Sequence, residues 1–325
     1  MKAIVQDRFG PPESLRLIDV DEPAIGPDDV LVRVRAAAAN PYDWHMLRGD
    51  PYIVRLAPVV GHTRPRSRIA GIDAAGEIAA VGANVRGLAV GDAVFGLCKG
   101  AFAEYVAAPA ELVVPKPVGL GFEEAAALPM AASTALRGVR DVGEVRAGQR
   151  VLVNGAAGGV GTFAVQLAAS LGAEVTGVCS TRNVELVESL GAEHVVDYTR
   201  ADFTAGGERY DVVLDNVGNR PLRRVLAAVT PRGTLVLNAG GSPGAVFGAV
   251  ATLLRAKLLD LAVSQRLAQL PTVESRENLL TVARHAEAGT LLPVIDRTYP
   301  LAAAADAVGH VERGHTRGKV VVTVG

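Results

Sequence analysis

The sequence predicts an α/β fold: a doubly wound parallel sheet joined to a discontinuous, β-rich barrel domain. Three observations carry this. From about residue 126 apolar β-type runs alternate with helix-period segments. At the head of that region a strand runs into a glycine-rich turn and then a helix. Before it, short β-type runs are separated by glycine and proline.

The leading runs are Lys2–Asp7, Leu15–Val20 and Val30–Arg35, then Gly76–Val81, Ala93–Leu97 and Phe102–Val106. Gly82, Gly87, Gly91 and Gly100 divide the later ones. Asn40-Pro-Tyr-Asp43 interrupts the pattern as a helix start: Asn40 suits an N-cap, Pro41 the first position and Asp43 the acidic first turn. Helix is then predicted over Glu123–Ala132. Strands follow at Arg150–Asn154, Glu174–Cys179, His194–Asp197, Asp211–Asp215 and Thr234–Asn238, with helices at Thr162–Leu171, Val184–Leu190 and Leu222–Val229. A sixth strand is expected near Leu259–Val263, then a helix at Ser275–Ala288, a strand at Val294–Tyr299, a helix at Leu301–Glu312 and a strand at Lys319–Val324. The last β-type segments return to the first domain. The expected division is 1–125 with 266–325, and 126–265.

Arg150–Asn154 leads into Ala156-x-Gly158-x-x-Gly161, the Rossmann dinucleotide fingerprint with alanine in the first glycine place. Gly158 lets backbone approach a pyrophosphate, Gly161 lets helix pack on strand, and the helix N-terminus offers free N–H groups.

Lys+Arg 33 against Asp+Glu 34 leaves no overall charge to attract nucleic acid or an anionic membrane. Two cysteines in 325 residues, Cys98 and Cys179, make no disulfide framework and point to a reducing compartment. The N-terminus becomes charged too early for a signal peptide, and the apolar window Gly244–Val263 carries Arg255, Lys257 and Asp260. A cytoplasmic protein without membrane or nucleic-acid partners is expected.

The end of the second strand distinguishes the two nicotinamide cofactors. Cys179-Ser180-Thr181-Arg182 has hydroxyls and a guanidinium there and no acid, which suits the 2′-phosphate of NADPH. Tyr198, after the third strand, can stack on or bond to the same end.

Together with Gly71-Ile-Asp73-Ala-Ala-Gly76, Gly91-Asp-Ala-Val-Phe-Gly96, Gly100-Ala-Phe-Ala-Glu-Tyr105, Ala127-Leu-Pro129 and Arg317-Gly-Lys-Val320, these motifs run over nearly the whole chain. The sequence resembles the zinc-free quinone oxidoreductase group of the medium-chain dehydrogenase/reductase superfamily. The resemblance implies a GroES-like barrel domain, a Rossmann domain with cofactor in the cleft between them, and a homodimer. Zinc-dependent relatives carry cysteine at the position of Asn40 and a His-Glu pair at Ile72-Asp73, so no metal is expected. It also implies a nicotinamide contact at Thr134, pyrophosphate contacts at Ala157, Gly158, Gly159 and Val160, and cofactor contacts at Asn216, Asn238, Ala239, Gly240, Gly241, Arg317 and Lys319.

Without a metal Lewis acid, a quinone or α,β-unsaturated carbonyl is the easier hydride acceptor, because charge delocalises onto oxygen. Asn40 and Tyr42 are the candidate catalytic residues; Asn40 alternatively only caps its helix. For Tyr52 a packing role is favoured. The basic stretch Val59–Arg68 departs from the family pattern and reads as a solvated loop, with an anion-facing loop at the cleft mouth as the other reading. Gly244–Leu259 reads as pocket lining or subunit interface. The expected function is NADPH-dependent reduction of small-molecule quinones or enones. Alternatives are a zinc-independent enoyl-thioester reductase and an NADPH-binding sensor or scaffold with little turnover.

Overall fold

A computed structural model describes residues 1–50, 55, 64–238, 263–270 and 274–325. The chain divides into two compact units, Met1–Ser133 with Glu274–Gly289 and Pro293–Gly325, and Thr134–Val273 with Thr290–Leu292.

The first unit opens with β1 (Lys2–Val5), β2 (Arg16–Asp19), β3 (Asp29–Ala39) and helix α1 (Pro41–Arg48). Strands β4 (Asp73–Val81), β5 (Ala93–Leu97), β6 (Tyr105–Pro109) and β7 (Val113–Pro115) follow, then helices α2 (Phe122–Ala126) and α3 (Pro129–Leu136). Strand β3 is longer than its pattern because Ala36–Ala39 continue it; their small side chains are 0–3% exposed and pair with β4 and a C-terminal strand. Gly49 ends α1 in the left-handed conformation with φ 57°.

The second unit holds β8 (Arg150–Asn154), α4 (Gly159–Ser170), β9 (Glu174–Cys179), α5 (Val184–Ser189) and β10 (His194–Asp197). Next come β11 (Tyr210–Asp215), α6 (Leu222–Ala227), β12 (Val229–Leu237) and β13 (Arg266–Gln269). Their order β10-β9-β8-β11-β12-β13 is parallel throughout, the doubly wound arrangement. Val151, Leu152 and Val153 are fully buried, as strands covered on both faces require. The register sets Asn154 beside Asp215, Asp215 beside Leu237 and Cys179 beside Asp197, aligning the carboxyl ends.

The chain then returns to the first unit with helix α7 (Arg276–Glu287), β14 (Ile295–Pro300), α8 (Ala304–Glu312) and β15 (Lys319–Thr323). Strand β15 pairs antiparallel with β3, Val320 opposite Ala39, and parallel with β14. The large sheet follows β14-β15-β3-β4-β5-β7, with β6 on β3.

Among the described residues the strands of this sheet trace an open path from β14 to β7. Three expectations change. A sixth parallel strand is Arg266–Gln269, a half-exposed edge strand; of the expected Leu259–Val263 only Val263 is among the described residues. The parallel sheet therefore runs past residue 265, and the return to the first unit comes later. The other boundary falls after Ser133, since Ala125–Leu128 are buried and the Met130 N–H donates to Asp73 Oδ1 at 3.2 Å. Leu292 stays with the second unit because its N–H and C=O bond Gln166 at 2.7 and 3.0 Å. Tyr52, Val59–Thr63, Ala239–Gly241 and Gly244–Leu259 lie outside the described residues.

Candidate functional site

In the second unit, the turn after β8 takes its left-handed residue one place before the fingerprint: Gly155 has φ 80°, and Ala156 is fully buried. That is why alanine is tolerated at 156. The N–H groups of Gly155 and Ala156 both donate to Val178 O, at 3.2 and 3.0 Å, tying the turn to β9. Helix α4 starts at Gly159, three residues earlier than its apolar period suggested, with Gly158 as N-cap. A Cβ at Gly161 would lie 2.0 Å from Gly155 O, so glycine is imposed by the turn's own packing. A Cβ at Gly158 would meet only Gly155 O, at 3.4 Å. Nothing in the unit's own packing demands glycine at 158. The position stands at the head of the first helical turn, whose leading N–H groups have no partner within the helix. Ala157 is buried, while Gly158, Gly159 and Val160 are half-exposed.

The asparagines after β11 and β12 come together. Asn238 Nδ2 donates to Asn216 Oδ1 at 2.8 Å, and Asn216 Nδ2 donates to Asn154 O at 3.2 Å. Asp215 Oδ1 accepts from Asn154 Nδ2 at 2.8 Å and from the N–H groups of Val217 and Gly218.

At the end of β9, Arg182 and Tyr198 are exposed. The Ser180 hydroxyl accepts from Asn183 Nδ2 at 3.3 Å. The Thr181 hydroxyl donates to Asp197 Oδ2 at 2.6 Å and lies 3.0 Å from the Thr199 hydroxyl. The corner thus carries a carboxylate supplied by the third strand, which the second strand's sequence does not reveal. The Thr181 hydrogen bond, helped by Thr199 and Arg200, holds Asp197 below the usual carboxylate range.

In the first unit, the start of α1 meets β4 and β15 in a buried polar cluster. Asn40, Asp43, Asp73 and Lys319 are 2%, 7%, 0% and 3% exposed. Asn40 Nδ2 donates to Asp73 Oδ2 at 3.0 Å and to Ala38 O at 3.2 Å, and Asn40 Oδ1 accepts from Lys319 Nζ. Lys319 Nζ lies 3.6 Å from Asp73 Oδ2. The Asn40 N–H donates to Asp43 Oδ2 at 2.7 Å, so the acid at the third helical position caps the residue before the helix.

Burial pushes the Asp43 carboxyl up to about 7, with the Asn40 N–H and Lys319 opposing and Asp73 reinforcing. Burial also raises Asp73, but the nearby Lys319 ammonium and the Asn40 and Met130 donors favour its ionised form. Burial lowers Lys319, opposed by Asp73 and Asp43.

These contacts place two of the expected site residues. Asn40 has both amide hydrogens and its oxygen engaged inside the unit, so it offers no donor to a substrate as placed. Asn40 is the N-cap residue of α1, and the Asp43 carboxyl closes that cap on its backbone N–H. Lys319 is buried against Asn40, whereas Arg317, two residues earlier, is exposed. Gly318 between them has φ 84°, and a Cβ there would lie 2.2 Å from Val294 O. Tyr42 differs from both. It is half-buried against Ile72, Leu97, Leu112 and Met130, and its hydroxyl has no hydrogen-bond partner among the described residues. Burial, with Asp43 and Glu274, raises its phenol, which therefore keeps its proton at neutral pH. Thr134 sits half-buried in α3. Asp43 and Asp73 are cluster members that site reasoning from sequence missed. An aspartate opening an alanine-rich strand, Asp73-Ala-Ala-Gly76, was the available signal.

Two family models match the chain, an alcohol dehydrogenase GroES-like domain over residues 26–118 and a zinc-binding dehydrogenase over residues 190–322. A 2-methylene-furan-3-one reductase from Solanum lycopersicum is 33% identical, covering 99% of this chain and 79% of that protein. The structure of the quinone oxidoreductase from Coxiella burnetii superposes with TM-score 0.86 at 31% identity, covering 100% and 99% of the two chains. A mycobacterial protein solved in complex with NADPH gives TM-score 0.84 at 28% identity, with both chains covered fully. The chain belongs to the medium-chain dehydrogenase/reductase superfamily.

The zinc in one family description does not fit the residues present. Ile72 contributes hydrocarbon packed with Leu97 and Leu112, Asn40 is a weak ligand type already hydrogen-bonded, and the Lys319 ammonium occupies the space beside Asp73. Among the described residues no group of three or more His, Cys, Asp or Glu side chains is arranged to hold a metal ion. No described helix is long and apolar enough to cross a membrane.

Proposed function

We propose that the chain is a zinc-independent, NADPH-dependent oxidoreductase that reduces quinones or α,β-unsaturated carbonyl compounds. The observation that carries this reading is the Gly155–Gly161 turn. It closes tightly at Gly161 and leaves room at Gly158, before a helix N-terminus at a strand's carboxyl end. NADPH supplies a hydride when bound. The N–H groups of Gly159 and Val160, with Ala157 and Gly158 lining the turn, bind the pyrophosphate, and Arg182, Ser180 and Tyr198 hold the 2′-phosphate, with Thr181 shaping the corner through Asp197. Asn216, Asn238, Thr134 and Arg317 serve the remainder of the dinucleotide, and so do Ala239, Gly240 and Gly241.

Tyr42 donates a hydrogen bond from its protonated hydroxyl to the carbonyl oxygen of the acceptor. A neutral phenol polarises a carbonyl less than a metal does, which suits acceptors that already spread the incoming charge by conjugation. The names of the tomato and Coxiella relatives, an exocyclic enone reductase and a quinone oxidoreductase, support that class. The working form is a homodimer acting on a small molecule.

The test is NADPH oxidation against a panel of quinones, enones and enoyl thioesters. Turnover with quinones or enones is expected. Turnover restricted to enoyl thioesters reassigns the substrate. Tight NADPH binding with no oxidation of it by any acceptor makes the chain a binding protein and overturns the proposal.

A further inference from the structure

We propose that Lys319 is a positioning residue, fixing the Asn40 amide in one orientation and through it the first turn of α1 that carries Tyr42. This rests on the functional reading above for Tyr42, and on geometry for the rest. The Asn40 amide is read at both ends by groups with opposite hydrogen-bonding character. An ammonium has only donors, so it takes Oδ1; an ionised carboxylate has only acceptors, so Asp73 Oδ2 takes Nδ2, at 3.0 Å. Ala38 O accepts the second amide hydrogen at 3.2 Å. No flip of the amide keeps these bonds. The Asn40 N–H is tied in turn to Asp43 Oδ2 at 2.7 Å, so residues 40 and 43 are locked together and Tyr42 lies between them.

The groups facing Lys319 are Asp73 on β4, Asp43 on α1 and the Asn40 oxygen. The Cys98 thiol, buried near Asp73, is pushed up to about 12 and stays neutral. A buried lysine whose nearest carboxylate oxygen lies 3.6 Å away is a poor way to gain stability, since an apolar side chain fills the same volume without desolvating a charge. What the ammonium supplies and methionine does not is direction.

Two variants test this, Lys319→Met and the doubly neutral Lys319→Met/Asp73→Asn, which removes the unpaired buried carboxylate so that the fold is kept. In cofactor-free protein, hydrogen exchange of the Asn40 side-chain amide, followed by NMR, is expected to quicken at least tenfold in both. With an accepted quinone or enone, kcat is expected to fall at least tenfold while KM for NADPH changes less than twofold. In a Tyr42→Phe background Lys319→Met is expected to add no further loss, because it acts through Tyr42. Unchanged exchange, unchanged kcat, a loss confined to KM for NADPH, or losses that multiply with Tyr42→Phe each overturn the proposal. If the unaltered protein turns over no acceptor, the functional reading has failed, while the exchange measurement still decides whether Lys319 orients the amide.

Discussion

Asp43 Oδ2 accepts the backbone N–H of Asn40 at 2.7 Å, a bond that begins α1 and buries a carboxyl with Asp73 and Lys319 as its charged neighbours. Burial raises that carboxyl from 3.8 to about 7. A raised carboxyl binds more protons in the folded than in the unfolded chain between those values, so stability is greatest below the lower one and declines as pH climbs to the upper. Three pH units correspond to about 4 kcal/mol at most. Asp43→Asn is expected to flatten this part of the stability profile in denaturant titrations between pH 4 and 7. An unchanged slope contradicts the assignment.

Gly158 and Gly161 separate ligand space from packing. Gly161→Ala forces a Cβ to 2.0 Å from Gly155 O and is expected to destabilise by about 3 kcal/mol or more in thermal unfolding. Gly158→Ala meets nothing nearer than 3.4 Å and is expected to unfold within about 0.5 kcal/mol of the parent. Its NADPH affinity is expected to fall about tenfold by fluorescence titration. Equal stability losses at the two positions contradict this division.

The strand-and-turn frame was legible because its chemistry is local. β5, β8, β9 and β10 begin and end where the sequence places them, since each is an apolar or β-branched run closed by a glycine or polar turn. The discontinuity of the first unit was visible in the closing β-type segments. What failed lay in long-range pairing. β13 was missed because an edge strand needs no apolar run. The Lys319–Asn40 bond joins residues 279 apart in sequence, and nothing near either one announces it. Asp197 joining Thr181 across two strands was hidden in the same way.

Arg182 is exposed at the corner that Thr181, Asp197 and Tyr198 form. Arg182→Ala is expected to raise KM for NADPH about tenfold, roughly 1.4 kcal/mol, with little effect on KM for NADH. Equal effects on the two cofactors contradict a 2′-phosphate role.

Tyr42 has a hydroxyl without a protein partner among the described residues, so its loss leaves no broken bond in the fold. Tyr42→Phe is expected to unfold within about 0.5 kcal/mol of the parent. Loss of the donor is expected to lower kcat roughly 10²-fold with the better enone or quinone acceptors. Preserved kcat with intact folding removes Tyr42 from the chemistry.

The most direct measurement is turnover by protein stripped of metal with a strong chelator, its zinc content determined alongside. A zinc-independent reductase oxidises NADPH with a quinone or enone at an undiminished rate while holding far less than one zinc per chain. Activity that disappears on chelation and returns with added zinc contradicts it.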